Sequence, residues 1–244
     1  MAWLFYIFLV TEALLRQNDD VEIKLSENKM SEQLSTALSV AQQQINQMLT
    51  MQDAMNSRVS ETWRENAYEW YRAIWVECAE MLDHHGWKWW KHQEIDIAQV
   101  QLELVDIFHF GLSLRLMTND SVSSISTKLA KELHQGTAEN DFKIALENLA
   151  SAAVTHKSFD AKALADCMSL MNMDLNELFR QYVGKNTLNF FRQDHGYKEG
   201  SYIKIWHGKE DNEVLAELVN ELDASASDFQ QQLYAALKAQ YPSE

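Results

Sequence analysis

The chain has 244 residues with seven glycines, one proline and two cysteines, and 36 acids against 21 bases give a formal charge of −15. So few turn formers exclude an all-β sandwich or barrel, and an apolar content of 46 % excludes a disordered chain. The negative charge argues against a nonspecific nucleic-acid binder. Cys78 and Cys167 sit in apolar helical settings, which fits a reducing, cytoplasmic compartment better than a disulfide-built domain.

Residues 3–10, WLFYIFLV, are too short an apolar run to span a bilayer, which takes about 20 residues as helix. No basic residue precedes the run and no small-residue cleavage site follows it, so a signal peptide is not indicated. Residues 1–29 are expected to be a weakly ordered extension, reached from a start upstream of the native one; a membrane anchor is the lesser alternative. Residues 30–244 are expected to form one all-α domain. Leu34, Leu38, Ile45, Met48, Met51 and Met55 recur at three- and four-residue steps and predict an amphipathic helix from Ser31 to about Val59. A second helix is expected from Thr62 to Leu82, with Thr62 and Glu65 as a capping box. His84, His85, Gly86 and a WKWW cluster then lead to a third helix, capped by Asp96 and running to about Met117. Shorter helices are expected at 122–135, 138–155, 159–172 and 174–193. The segment 194–209 reads as loop with a brief strand, and acidic helices close the chain at 211–222 and 225–240.

Two helices carry acids where apolar residues dominate. In AIWVECAEML, Glu77 and Glu80 lie three apart and share a face; in QLELVDIFHF, Glu103 and Asp106 do the same. Burial of four carboxylates without cations is costly, and no lysine or arginine lies within either cluster. An oxygen-preferring divalent cation, Mg²⁺ or Mn²⁺, resolves the conflict. The plainer reading is a solvated acidic seam between two helices. His109 lies three residues after Asp106, and its setting between Phe108 and Phe110 suits a core position more than a ligand.

Residues 181–209 hold five bases (Lys185, Arg192, Lys198, Lys204 and Lys209) against two acids, a local charge of +3 in an acidic chain. A helix would aim Lys185, Asn189 and Arg192 the same way, and an ammonium, an amide and a guanidinium suit phosphate oxygens. Gly196 and Gly200 would allow a ligand to approach the backbone. The competing reading is a basic helix face neutralised by the acidic tail.

The pair Glu77-x-x-Glu80 and Glu103-x-x-Asp106 resembles the metal motif of the all-α nucleoside triphosphate pyrophosphatases. The segment KNTLNFFRQDHGYKEGSYIKIWHGKEDN, residues 185–212, is more specific and resembles the C-terminal motif of the dimeric dUTPase and phage dCTPase/dUTPase branch. LTMQDAMN, residues 49–56, resembles that branch's first motif. The resemblance implies that Glu77, Glu80, Glu103 and Asp106 hold Mg²⁺, with Mn²⁺ as a possible substitute, and that one of the glutamates, Glu77 or Glu80, activates the water. It implies that Gln52 and Asn56 read the uracil edge, that Trp89 packs on the base and that His109 and Phe110 line the deoxyribose. It assigns Lys185, Asn189, Arg192, Tyr197, Lys198 and, more weakly, Lys204 to the phosphates. The reaction implied is hydrolysis of dUTP, and of dUDP, to dUMP, with attack at the β phosphorus and release of pyrophosphate from dUTP. A homodimer is implied, with residues 119–175 a mobile lobe and neither nucleic acid nor membrane as a partner. The alternatives are a dCTPase or broader pyrophosphatase with the same metal site, and more remotely a non-catalytic helical nucleotide-binding protein.

Overall fold

A computed structural model describes residues 2–223, 226 and 228–242, with side chains from residue 28 onward. Among the described residues there are nine helices and one two-stranded hairpin, so the fold is all-α. The chain divides into two units, Met1–Ala41 and Gln42–Glu244. Helix α1 (Ala2–Val59) begins upstream of the expected Ser31. The expectation of a weakly ordered extension over residues 1–29 falls largely on side chains outside the described residues. Among the described side chains of the first unit, Thr36 Oγ1 donates to the Glu32 carbonyl at 2.9 Å, and Met30 and Leu34 are exposed.

In the second unit α1 ends at Val59, and the expected helix start at Thr62 is not found. Residues 60–69 form a turn-rich loop, and α2 runs Trp70–His85. Thr62 and Glu65 meet through a backbone bond, Glu65 N to Thr62 O at 2.8 Å, and not as a capping box. The cause is tertiary: Trp63 is buried, its indole N–H donates to Asp53 at 3.2 Å, and Ala67 is left-handed at φ 48°. A continuous helix could not seat that ring.

Helix α3 (Ile97–Leu116) starts where Asp96 accepts from the Gln99 N–H at 3.2 Å, as expected. Its length and apolar character would suit a membrane span. Glu103, His109 and Ser113 lie buried along it, however, and it packs against α2, α6 and α7, so it is the central core helix. Helices α4 (Val122–Gln135) and α5 (Phe142–His156) each pack on α6 (Ala161–Leu170), with α5 also against α2 and with α4 and α6 against α3. Helix α7 (Leu175–Asp194) leads to the hairpin β1 (Ile205–Trp206) and β2 (Lys209–Glu210), and then to α8 (Asp211–Glu221) and α9 (Phe229–Gln240). A second apolar cluster joins this end: Val183, Leu188 and Phe191 of α7 meet Trp206, Leu215, Val219 and Leu233. Gly184 permits that packing, since a Cβ there would stand 2.8 Å from Val219 Cγ2. Lys185, the next residue, is thereby held at the junction of α7 and α8.

Candidate active site

The most extensive contact between helices among the described residues, α2 against α3, carries the acids. Spacing of three on each helix turns the pairs toward the shared seam. Glu77, Glu80 and Glu103 each bring a carboxylate oxygen to within 4.8 Å of the others'. Burial, a hydrogen bond with Glu103 and the charges of Asp106, Glu103 and Glu80 push the Glu77 carboxyl up to about 8. Glu103 is raised too, by burial first. Three carboxylates so placed share a proton or a divalent cation; an all-oxygen donor set of this kind suits Mg²⁺ or Mn²⁺. His84 Nε2 lies 3.6 Å from Glu103 Oε1, a neighbour that the sequence motif does not include.

Asp106 is not brought into this trio. It accepts from Lys185 Nζ at 2.8 Å, and both side chains are largely covered. The absence of bases within the acidic clusters therefore misled: the counter-charge comes from α7, 79 residues on. Lys185 also reaches Asn212 Oδ1 at 3.3 Å, and Arg192 Nη2 reaches the same oxygen at 3.2 Å. Arg192 grips Asp211 with two nearly parallel bonds of 2.8 and 2.9 Å, and Tyr202 donates to the same carboxylate at 2.8 Å. Burial alone would raise Asp211, but Arg192 and Tyr202 hold it below its ordinary value. Asn189 Oδ1 accepts from Arg192 Nη1 at 3.2 Å, so Lys185, Asn189 and Arg192 do share a side of α7.

The rest of the basic segment is more dispersed. Tyr197 is half exposed under the Arg192 guanidinium, Lys198 Nζ reaches the Val59 carbonyl at 3.4 Å, and Lys204 pairs with Glu210 at 3.2 Å. Gly196 is accounted for without a ligand: its φ is +85° and a Cβ would run into the Ser201 hydroxyl. Asp211, Asn212 and Tyr202 were not singled out as site residues, although Asn212 closes the motif-bearing segment.

At the other end of α3 a buried polar group surrounds Gln52. Its Nε2 donates to Asn56 Oδ1 at 2.9 Å and to Ser113 Oγ at 3.0 Å. Its Oε1 accepts from Tyr182 at 2.8 Å and lies 2.7 Å from His109 Nδ1. An amide has two N–H donors and two carbonyl lone pairs, so Gln52 is fully committed inside the protein. Asn56 keeps one donor and one acceptor unspent in this set. Phe110 stacks on Trp70 with centroids 6.3 Å apart. Trp89 is 89 % exposed in the loop before α3, where its ring meets Trp90.

Residues 44–197 match a family described as dUTPase. The chain belongs to the dUTPase family. The match covers more than half of the protein and takes in all four acids, Gln52, Asn56, His109 and the helix bearing Lys185 and Arg192. No curated protein matches the chain. The enzyme is thus an all-α dUTP diphosphatase, and Lys198, Lys204 and Asp211 lie beyond the matched residues.

Burial, with a smaller contribution from the Lys185 charge and opposed by Asp106, pushes the His109 imidazole down from 6.5 to about 3. Between those values the unfolded enzyme takes up a proton that the folded one refuses, so stability falls as pH drops through this window. The slope is about 1.4 kcal/mol per pH unit. Glu77 acts in the opposite sense: folded, it keeps a proton between 4.5 and about 8, so its contribution falls as pH rises over that range. Denaturant titrations between pH 4 and 6 should give His109→Asn a shallower acid limb than the wild type by about one proton. Equal slopes would show that His109 is not held neutral.

Proposed function

We propose that the enzyme hydrolyses dUTP, and dUDP, to dUMP with Mg²⁺ held at Glu77, Glu80 and Glu103, and that it works as a homodimer. The observation that carries this reading is the convergence of those three carboxylates on one point within a chain of the dUTPase family. When bound, the metal would neutralise phosphate charge and acidify a water. The protein's own groups supply the rest. One of Glu77 and Glu80 would take the proton of the attacking water, and the other would orient that water. Lys185 and Asp106 neutralise each other across the α3–α7 contact. In the working state Lys185 would turn to a phosphate oxygen, and Asp106 would join the residues that hold the metal. Arg192, Asn189, Tyr197 and Lys198 would surround the phosphate chain from the far side, stabilising charge on the leaving group.

Asn56 supplies the base-reading amide, while the saturated Gln52 fixes Asn56 from behind. Helices α4–α6 would close over the nucleotide, and exposed Trp89 would pack on the base. Pyrophosphate release from dUTP, dCTP, dTTP and UTP, with and without chelator, tests the reading. Turnover is expected on dUTP, lost with chelator and restored by Mg²⁺. Comparable rates on dCTP would overturn uracil selectivity, and chelator-resistant turnover would overturn the metal.

A further inference from the structure

Five buried side chains from three helices form one hydrogen-bonded set: Gln52 and Asn56 on α1, His109 and Ser113 on α3, and Tyr182 on α7. Amide oxygen and nitrogen have the same shape, so the direction of the protons decides which way each amide points. Two directions satisfy the pair Gln52–Asn56 itself: the one described above, and one with both amides reversed. Reversal would turn Gln52 Nε2 toward Tyr182 and His109, and would leave the imidazole proton on Nε2.

Ser113 breaks this symmetry. Its Oγ stands 3.0 Å from Gln52 Nε2, 3.0 Å from Asn56 Nδ2 and 3.0 Å from the His109 carbonyl oxygen, to which it donates. With both nitrogens facing it, the hydroxyl accepts twice and donates once, which is its full capacity. With the amides reversed, three oxygens would compete for its single proton in a dry interior, and two would go without. Tyr182 has the opposite preference but a weaker one. Its one proton lies between Gln52 Oε1 at 2.8 Å and the Met48 carbonyl at 3.0 Å, so only one acceptor goes short. The balance therefore favours the Gln52 carbonyl facing His109. Nδ1 must then carry the imidazole proton, and Nε2 is a bare acceptor; it is buried with no partner among the described residues.

We propose that Ser113 is a positioning residue that sets the hydrogen-bond polarity of the nucleoside pocket, making His109 Nε2 an acceptor to which a bound nucleoside must bring an N–H or O–H group. This rests on the nucleotide reading above for the identity of the ligand, but the polarity itself does not. The same constraint fixes which end of the Asn56 amide faces Ser113, and so which donor and acceptor remain for the base.

The test is long-range ¹H–¹⁵N correlation on histidine-labelled enzyme, with the His109 signals identified by their loss in His109→Asn. The wild type should show a protonated Nδ1 and a bare Nε2. Ser113→Ala, which leaves only the opposing preference of Tyr182, should move the population toward the Nε2-protonated tautomer, whereas Tyr182→Phe, which removes that preference, should keep the wild-type one. In kinetics Ser113→Ala should raise KM for dUTP about 3- to 10-fold, the equivalent of one lost hydrogen bond, with kcat little changed. A protonated Nε2 in the wild type, or an unchanged tautomer in Ser113→Ala, would overturn the proposal. If the tautomers behave as stated and KM does not move, the substrate-facing half is overturned. Failure of the wild type to turn over dUTP, with the tautomers as stated, would instead overturn the nucleotide reading and leave the polarity role standing.

Discussion

Glu80→Gln should lower dUTP turnover by more than about 100-fold in a protein that remains folded, because even partners one shell removed from a metal typically cost 10- to 100-fold. The side chain is exposed on α2, so the change creates no cavity and strands no buried group. It removes one of three carboxylates whose oxygens lie within 4.8 Å of one another, and with it part of the attraction for a divalent cation. Mn²⁺ titration followed by calorimetry should show weakened binding in parallel with lost activity. Unchanged activity would remove Glu80 from the metal set. Asp106→Asn is the informative companion. It should also lose activity, and it should lose stability as well, because Lys185 would be left largely covered without its carboxylate. Full activity in Asp106→Asn would make Asp106 a structural counter-ion to Lys185 and reduce the metal set to three glutamates.

Asp211→Ala should destabilise the enzyme by about 3–5 kcal/mol, the usual result of removing one partner from a buried ion pair. Asp211 is fully buried; it accepts two bonds from Arg192 and one from Tyr202, and its loss would leave the guanidinium uncompensated. Denaturant unfolding should show the loss as a lower midpoint with an unchanged slope. Arg192→Met in the same chain should recover part of it, since an apolar pair can replace an ionic one of similar volume. A loss below about 1 kcal/mol would place the pair among ordinary surface bridges and leave Arg192 free for a purely phosphate-binding role.

The helical class and most helix limits were legible because apolar residues recur at helical steps and because side chains such as Asp96 mark a helix start. The loop at 60–69 was not legible. Its residues contain no glycine or proline, and what breaks the helix is the seating of Trp63 against Asp53, a contact that no local pattern announces. The same limit applies to the site. The i,i+3 spacing put Glu77 with Glu80, and Glu103 with Asp106, on one face of their helices, and the apolar surroundings of both pairs pointed to a cation. The pairing of Asp106 with Lys185 joins α3 to α7, and only the packed structure reveals it. Gln52 was identifiable as an amide at a motif position, but its saturation depends on Tyr182, 130 residues away.

The exposure of Trp89 also makes it an optical probe. Among the described indoles Trp63 and Trp206 are sealed in the interior, whereas Trp89 is the most open, with Trp90 next. A collisional quencher such as acrylamide would reach those two first, so the fraction of fluorescence lost at low quencher reports on this loop ahead of the core. A nucleotide stacked on Trp89 would shield it, and binding could be followed without label or turnover.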